Sequence, residues 1–120
     1  MILSHIIAVA FGGALGSVAR LVLSSFIGAY GILIVNIIGC FFIGLLVSLF
    51  ALKTSISQPI NLFLTVGVLG GFTTFSVFSL EAMAMIDTHR YIHALSYIAA
   101  SVGGGLCAFI LGRFLVRLLA

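Results

Sequence analysis

Residues 67–81 read Gly-Val-Leu-Gly-Gly-Phe-Thr-Thr-Phe-Ser-Val-Phe-Ser-Leu-Glu, and this stretch decides the fold. Adjacent glycines favour an unwound backbone, and threonine adds little support to a helix core. Serine and threonine hydroxyls can then bond the backbone groups that an interrupted helix leaves free. We predict that the helix is broken around residues 70–74, near the middle of the membrane. The alternative is a continuous helix with a packing notch.

The charges on either side of this stretch divide the chain into membrane-length segments. Residues 54–80 and 91–112 contain no Asp, Glu, Lys or Arg, and each suits one span of about 20 apolar residues. Residues 21–52 are too long for one span, and residues 24–31 are rich in Gly and Ser, which predicts a turn. We therefore predict an all-α membrane protein, a single domain of residues 1–120, with four spans at approximately 4–23, 32–52, 59–87 and 92–115.

The composition supports a membrane protein and excludes other classes. The chain of 120 residues is 63% hydrophobic and 6% charged, whereas about a quarter of a soluble domain is charged. It shows no nucleotide-binding motif, metal-ligand cluster or nucleophile–base pair, so we expect neither an enzyme nor catalytic residues. The net charge of +3 concerns membrane topology, and we expect no nucleic-acid partner.

The basic residues give almost no preference for one orientation. With the N-terminus in the cytoplasm, Lys53, Arg113 and Arg117 are inside, while Arg90 is outside and Arg20 lies near the outer end of the first helix. The positive-inside rule needs a larger excess than three against two. We therefore expect the chain to insert in both orientations.

Small residues recur at spacings of four, as in Gly12-x-x-x-Gly16 and Gly67-x-x-x-Gly71. Such stripes let helix backbones approach closely. One bundle of four helices has little room for an aqueous path, so we expect an oligomer.

Three polar side chains within the spans are candidates for function, since such groups usually face the protein interior or a water-filled cavity. Arg20 shares a helix face with small residues and would point into the bundle, or it could snorkel to the membrane surface. Asn36 could serve an ion or only join two helices. Glu81 could line a path or lie at the membrane surface.

Phe75 and Phe78 share one face of the helix that follows the predicted break. The edge of a phenyl ring is positive, so ring edges can face a desolvated anion without supplying a full charge. A full charge would hold the ion too tightly for fast release.

These residues resemble those of the fluoride channel family known as Fluc or CrcB. Residues 70–79, Gly-Gly-Phe-Thr-Thr-Phe-Ser-Val-Phe-Ser, are very similar to the family's Gly-Gly-x-Thr-Thr-Phe-Ser-Thr-Phe-Ser block. Residues 12–20 resemble its first-helix Gly-Gly-x-x-Gly-x-x-x-Arg, and Val35-Asn36 with Gly39 and Gly44 supplies a third element. Three motifs in order, over nearly the whole chain, make the resemblance specific.

The resemblance implies an antiparallel, dual-topology homodimer in the bacterial inner membrane, with two fluoride pores. It implies a pore lined by Asn36, Phe75, Ser76, Phe78, Tyr97 and Ser101. Arg20 would lie near the vestibule, with Ser79 and Glu81 close to the pore.

The resemblance also implies a structural sodium ion at the dimer interface, held by the backbone carbonyls of Gly70 and Thr73 from both subunits. Three positions depart from the family pattern: Val77 and Ile32 replace a common Thr, and Gly105 replaces a Ser. These departures leave the extent of the polar track open. A heterodimer with a paralogue is an alternative to the homodimer.

We expect passive export of fluoride from the cytoplasm, which protects the cell against fluoride toxicity. A small multidrug-type, proton-coupled exporter of dual topology is the alternative function. That chemistry uses an acid in the first helix, and residues 4–23 contain none. A third alternative is a structural or accessory membrane subunit.

Overall fold

The computed structural model describes residues 2–53 and 55–120, and these residues form helices and turns without a strand. The predicted domain, 1–120, also includes Met1 and Thr54, which lie outside the described residues. The helices are α1 (Leu3–Ile27), α2 (Gly31–Leu52), α3 (residues 58–72), α4 (Phe75–Asp87) and α5 (Tyr91–Leu119). Because α3 and α4 form one segment, Gln58–Asp87, the described residues contain four helices long and apolar enough to cross a membrane. The prediction of an all-α protein with four such helices is confirmed.

The turn between the first two helices is shorter than predicted. Residues 24–31 were predicted to form a turn, but α1 continues to Ile27. The Ser24 and Ser25 hydroxyls both donate to the Leu21 carbonyl, so these serines are satisfied within the helix. The helix ends at Gly28, whose φ of 92° is readily adopted only by glycine.

The third membrane-length segment changes its helix type along its length. It begins as an α-helix over Gln58–Leu62, widens to a π-helix over Phe63–Leu69 and returns to α geometry at Gly70–Phe72. Short π-helical segments are rare and frequent at functional sites. The Thr65 hydroxyl donates to the Asn61 carbonyl at 2.8 Å within the widened part.

The helical backbone is interrupted at Thr73 and Thr74, which are extended, with ψ of 158° and 122°. Thr74 then caps α4, and its hydroxyl accepts from the Val77 N–H at 3.2 Å. The interruption follows the two glycines and does not include them, so the predicted range of 70–74 was too wide. Gly70 and Gly71 are helical.

Close packing against α1 explains the glycine at position 71. A Cβ on Gly71 would lie 2.6 Å from the Gly13 carbonyl oxygen, and one on Gly12 would lie 2.5 Å from the Phe63 carbonyl oxygen. The α1 backbone therefore lies directly on α3, as small-residue stripes allow.

The α2 and α5 helices form a second close pair. A Cβ on Gly112 would lie 2.9 Å from the Leu45 backbone nitrogen. Between α4 and α5, Phe78, Ala82 and Tyr97 form a small buried cluster. Many large apolar side chains lie on the outside of the chain, as expected of a surface in contact with lipid.

Candidate functional site

Asn36 binds the interrupted backbone from α2 through two hydrogen bonds. Its side-chain Nδ2 donates to the Thr74 carbonyl at 2.9 Å, and the Thr74 backbone N–H donates to its Oδ1 at 2.8 Å. Backbone groups inside a membrane must find partners within the protein, and Asn36 supplies both for this residue. A side-chain amide carries two N–H donors, so one N–H of Asn36 is not used by Thr74.

Arg20 on α1 binds Thr73, the residue before Thr74. Its Nη1 donates to the Thr73 carbonyl at 3.0 Å, and this brings a full positive charge from α1 to the junction of α3 and α4. The Thr73 N–H and hydroxyl both donate to the Leu69 carbonyl at 3.0 Å. Thr73 and Thr74 are thus held from α1 and α2 at once.

An open cavity of about 430 Å³ lies beside this junction. It brings together four of the six predicted pore residues and both residues of the predicted sodium site. Its lining comprises Asn36, Gly39, Cys40, Ile43, Thr65, Leu69, Gly70, Thr73, Thr74, Phe75, Phe78, Ser101 and Val102.

The two phenylalanines occupy different environments at this cavity. The Phe75 side chain is 77% exposed in the single chain, while Phe78 is 9% exposed. Their ring centroids are 5.3 Å apart, and Phe78 stacks on Tyr97 at 5.5 Å. The three rings form a row that leads from the open cavity into the packed interface of α4 and α5.

Tyr97 lies behind Phe78 and outside the larger cavity. It lines a second cavity of about 260 Å³, together with Leu33 and Ser96. Its hydroxyl donates to the Glu81 carboxylate, so Glu81 on α4 and Tyr97 on α5 form a partly buried polar pair at the inner end of the aromatic row.

The three predicted serines lie in different places. The Ser101 hydroxyl faces the cavity, is buried and has no hydrogen-bond partner within the described part of the chain. A buried hydroxyl without a partner costs about 1–3 kcal/mol, so this position favours a ligand or water. Ser76 is exposed and bonds the Thr74 hydroxyl at 3.1 Å, while the Ser79 hydroxyl donates to the Phe75 carbonyl of its own helix. Neither Ser76 nor Ser79 lines the cavity.

Backbone oxygens are the cation ligands available here. The side chains over residues 2–53 and 55–120 include no group of three His, Cys, Asp or Glu that could hold a metal. The Thr74 N–H, the ordinary helical partner of the Gly70 carbonyl, is bonded to Asn36 instead, so the Gly70 oxygen is available. Carbonyl oxygens suit hard cations. The Thr73 oxygen already accepts from Arg20, but a carbonyl has a second lone pair. The two oxygens therefore fit a cation, and a complete coordination shell would require ligands from elsewhere.

Thr74 was missing from the predicted site although it lies at its centre. Its side chain is 8% exposed, and its backbone and hydroxyl make the hydrogen bonds that begin α4. A threonine directly before an apolar helical run is a helix-start signal, which could have identified it. Gly39, Cys40 and Ile43 follow Asn36 by three, four and seven residues, so helical spacing could have placed them on the same face.

Comparison with known proteins confirms the resemblance inferred from the motifs. A family model described as "CrcB-like protein, Camphor Resistance (CrcB)" matches residues 7–113. The chain belongs to the CrcB family. A relative from Rhizobium johnstonii, named "Fluoride-specific ion channel FluC", is 44% identical, over 95% of this chain and 97% of its own. One of the same name from Chloroflexus aurantiacus is 37% identical, over 96% and 97%. "Fluoride-specific ion channel FluC 1" from Nitrobacter hamburgensis is 41% identical, over 97% and 98%.

Proposed function

We propose that this CrcB-family protein is a fluoride-specific ion channel, a multi-pass protein of the bacterial plasma membrane. The observation that carries this function is full-length similarity to relatives named as such channels, at 37–44% identity. The chain is accordingly a transport protein and not an enzyme. Passive flow of fluoride out of the cytoplasm would limit fluoride toxicity.

The chemistry of the cavity supports this function. Fluoride gives up its water only where several weak contacts replace it, and each contact must be weak enough for release. Contacts of this kind are the spare N–H of Asn36, the Ser101 hydroxyl, which has no partner among residues 2–53 and 55–120, and the ring edges of Phe75 and Phe78. The charge of Arg20 lies at the junction, where it would draw anions toward a vestibule.

The remaining predicted residues complete this path. Tyr97 and Glu81 form its inner end behind Phe78, where the tyrosine hydroxyl and the carboxylate are paired. Ser76, in the first turn of α4, would line the pore beside the Thr74 hydroxyl that it bonds, and Ser79, which donates to the Phe75 carbonyl, would lie close to it.

We propose that the working unit is an antiparallel, dual-topology homodimer with two pores. The open cavity and the 77% exposed ring of Phe75 support this, because a second copy could cover both. The junction of α3 and α4 would lie near the membrane midplane, where unwound backbone survives only if protein covers it or if it lines a water-filled cavity, and an inverted copy would supply that cover. A heterodimer with a paralogue is an alternative that the same surface would serve.

We propose that the dimer interface holds a structural sodium ion. Gly70 and Thr73 would hold it through their backbone carbonyls, together with the same oxygens of the second copy. Such an ion would join the two copies and neutralise the carbonyl dipoles that the interrupted helix exposes.

Efflux from liposomes tests the function and its alternatives. Vesicles loaded with fluoride and containing the purified protein should release it, as read with a fluoride electrode, faster than protein-free vesicles. Release without a proton gradient supports a channel, whereas dependence on a proton gradient would support the multidrug-type exporter. No release from folded protein would refute the channel. Removing sodium should slow release if the central ion holds the dimer together.

A further inference from the structure

We propose that Asn36 is a positioning residue, which fixes the junction of α3 and α4 by holding Thr74 at two points. The consequence of this role for transport rests on the proposed channel function, because the proposed pore residue Phe75 directly follows Thr74. The role is distinct from donation to the ion, because the atoms that hold Thr74 are Oδ1 and one N–H of Nδ2.

The Asn36 side chain bonds Thr74 in the way that a neighbouring β-strand bonds one residue, through both its N–H and its C=O. The two hydrogen bonds of 2.8 and 2.9 Å run in opposite directions between one amide side chain and one residue's N–H and C=O. Two such bonds fix both the distance of Thr74 from α2 and the orientation of its peptide groups. A single bond, as from a hydroxyl, would leave the residue free to rotate about it.

The pair also explains how an interrupted helix is stable here. The Thr74 N–H would otherwise return to the Gly70 carbonyl and continue the helix. Because the Thr74 N–H donates to Asn36, the carbonyl oxygen of Gly70, a residue that lines the cavity, lacks its ordinary helical donor. One side chain therefore both stops the helix and exposes the carbonyl that the proposed sodium site uses.

Other groups near Asn36 bind different parts of the junction of α3 and α4. Arg20 holds Thr73 through a single bond from α1, and Thr74 uses its own hydroxyl to cap α4. The backbone N–H of Thr74 depends on Asn36, since the hydrogen bonds of the described residues give it no other partner.

Hydrogen–deuterium exchange tests the positioning role without any measurement of transport. Asn36→Ala should speed exchange of the Thr74 amide by roughly five- to tenfold, the factor expected from losing one hydrogen bond of ordinary net strength. Ser48→Ala, on the same helix, is the matched control and should leave that exchange unchanged. An Asn36 that served only the ion would leave Thr74 as protected as in the wild type, and that result would overturn the proposal.

Asn36→Asp adds a readout that a general loss of stability would not give. A protonated carboxyl has one acceptor and one donor and can restore both bonds to Thr74, whereas a carboxylate only accepts and would repel the Thr74 carbonyl. Fluoride current in planar bilayers should therefore be at least about tenfold below wild type at pH 8 and recover to within about threefold at pH 5. Neutral hydrogen fluoride carries no current, so the recording reports only the ion.

The control for this pH profile is Asn61→Asp, an equivalent exchange near the start of α3 and outside the cavity. The titratable groups around the junction are Arg20 from α1, Cys40 from α2, and the paired Glu81 and Tyr97 from α4 and α5. All are unchanged in the wild type and in the control, so both should vary by less than about threefold over this range.

The outcomes separate the two proposals. Absence of fluoride current in the wild type, with faster Thr74 exchange in Asn36→Ala, would refute the channel and keep the positioning role. Normal wild-type current, with an Asn36→Asp profile that follows the Asn61→Asp control, would refute the positioning role. If Asn36→Ala does not fold, the exchange of the Thr74 amide is measured at pH 8 in Asn36→Asp and in Asn61→Asp instead. Exchange should then be roughly five- to tenfold faster in Asn36→Asp than in Asn61→Asp.

Discussion

Replacing Gly16 by alanine should separate α1 from α3 just before the interrupted helix. Gly16 is buried against α3, and an added Cβ would lie 2.8 Å from the Phe72 backbone nitrogen and 2.9 Å from the Val68 carbonyl carbon. These are backbone atoms, so no rotamer change can relieve the contact and the helices themselves must move apart. Gly13 provides a matched control, because a Cβ there meets nothing within 4 Å.

The size of the effect follows from these distances. Forcing a methyl group into a closely packed site costs about 1–3 kcal/mol, which lowers the folding equilibrium constant by roughly five- to 150-fold. Gly13→Ala has no such cost and could gain up to about 1 kcal/mol from better helix propensity. The two variants should therefore differ in unfolding free energy by about 1–4 kcal/mol in the direction that favours Gly13→Ala.

Unfolding in mixed micelles, followed by circular dichroism, measures this difference, and fluoride efflux from liposomes measures its consequence. Efflux by Gly16→Ala should fall, because Phe72 precedes the junction that α1 supports, whereas Gly13→Ala should transport like the wild type. A Gly16→Ala protein as stable and as active as Gly13→Ala would show that the close approach of α1 and α3 does not exist in the folded protein.

Two further predictions concern the cavity. Phe75→Ile and Phe78→Ile should each reduce fluoride efflux at least about tenfold, because each removes a ring edge from the cavity. Phe72→Leu, away from the cavity lining, should keep efflux near wild type. Equal efflux in all three variants would exclude the rings as ion contacts. Ser101→Ala should leave the unfolding free energy unchanged or raise it by up to about 1–3 kcal/mol, because the buried hydroxyl that it removes has no partner in the described chain, yet should slow efflux; a large loss of stability with unchanged efflux would indicate a structural hydroxyl.

The sequence predicted the features that depend on composition and local pattern. Four membrane-length helices followed from the spacing of charged residues, and the family followed from motifs that include Arg20 and residues 70–79. Asn36, Phe75 and Phe78 belong to the motifs that carry the resemblance, Ser101 was implied by that resemblance, and the fold places all four at one cavity.

Other features depend on contacts that no local pattern contains. The interruption occurs after Gly71 because the α1 backbone packs on the glycines and Asn36 captures the Thr74 N–H, and both effects come from other helices. Thr74 is different, because its position directly before an apolar helical run is a local signal that was overlooked. The widened helix of Phe63–Leu69 was not predicted, since a nearly uniform apolar segment shows no change of period. The homodimer and its sodium ion stay predictions.

The widened segment Phe63–Leu69 also determines how the protein responds to the loss of a residue. A π-helical turn contains one residue more than an α-helical turn, so deleting any single residue there would let the segment relax to α geometry. That change would absorb the lost residue, so the residues after it, up to Thr73, would keep nearly the same orientation, whereas the same deletion in a regular α-helix would rotate them by about 100° about the helix axis. Gly70 and Thr73 would therefore still lie at the cavity. Related channels could therefore lack one residue between Phe63 and Leu69 and keep the junction of α3 and α4, and an alignment gap of one residue here would mark a protein in which this segment is a regular α-helix.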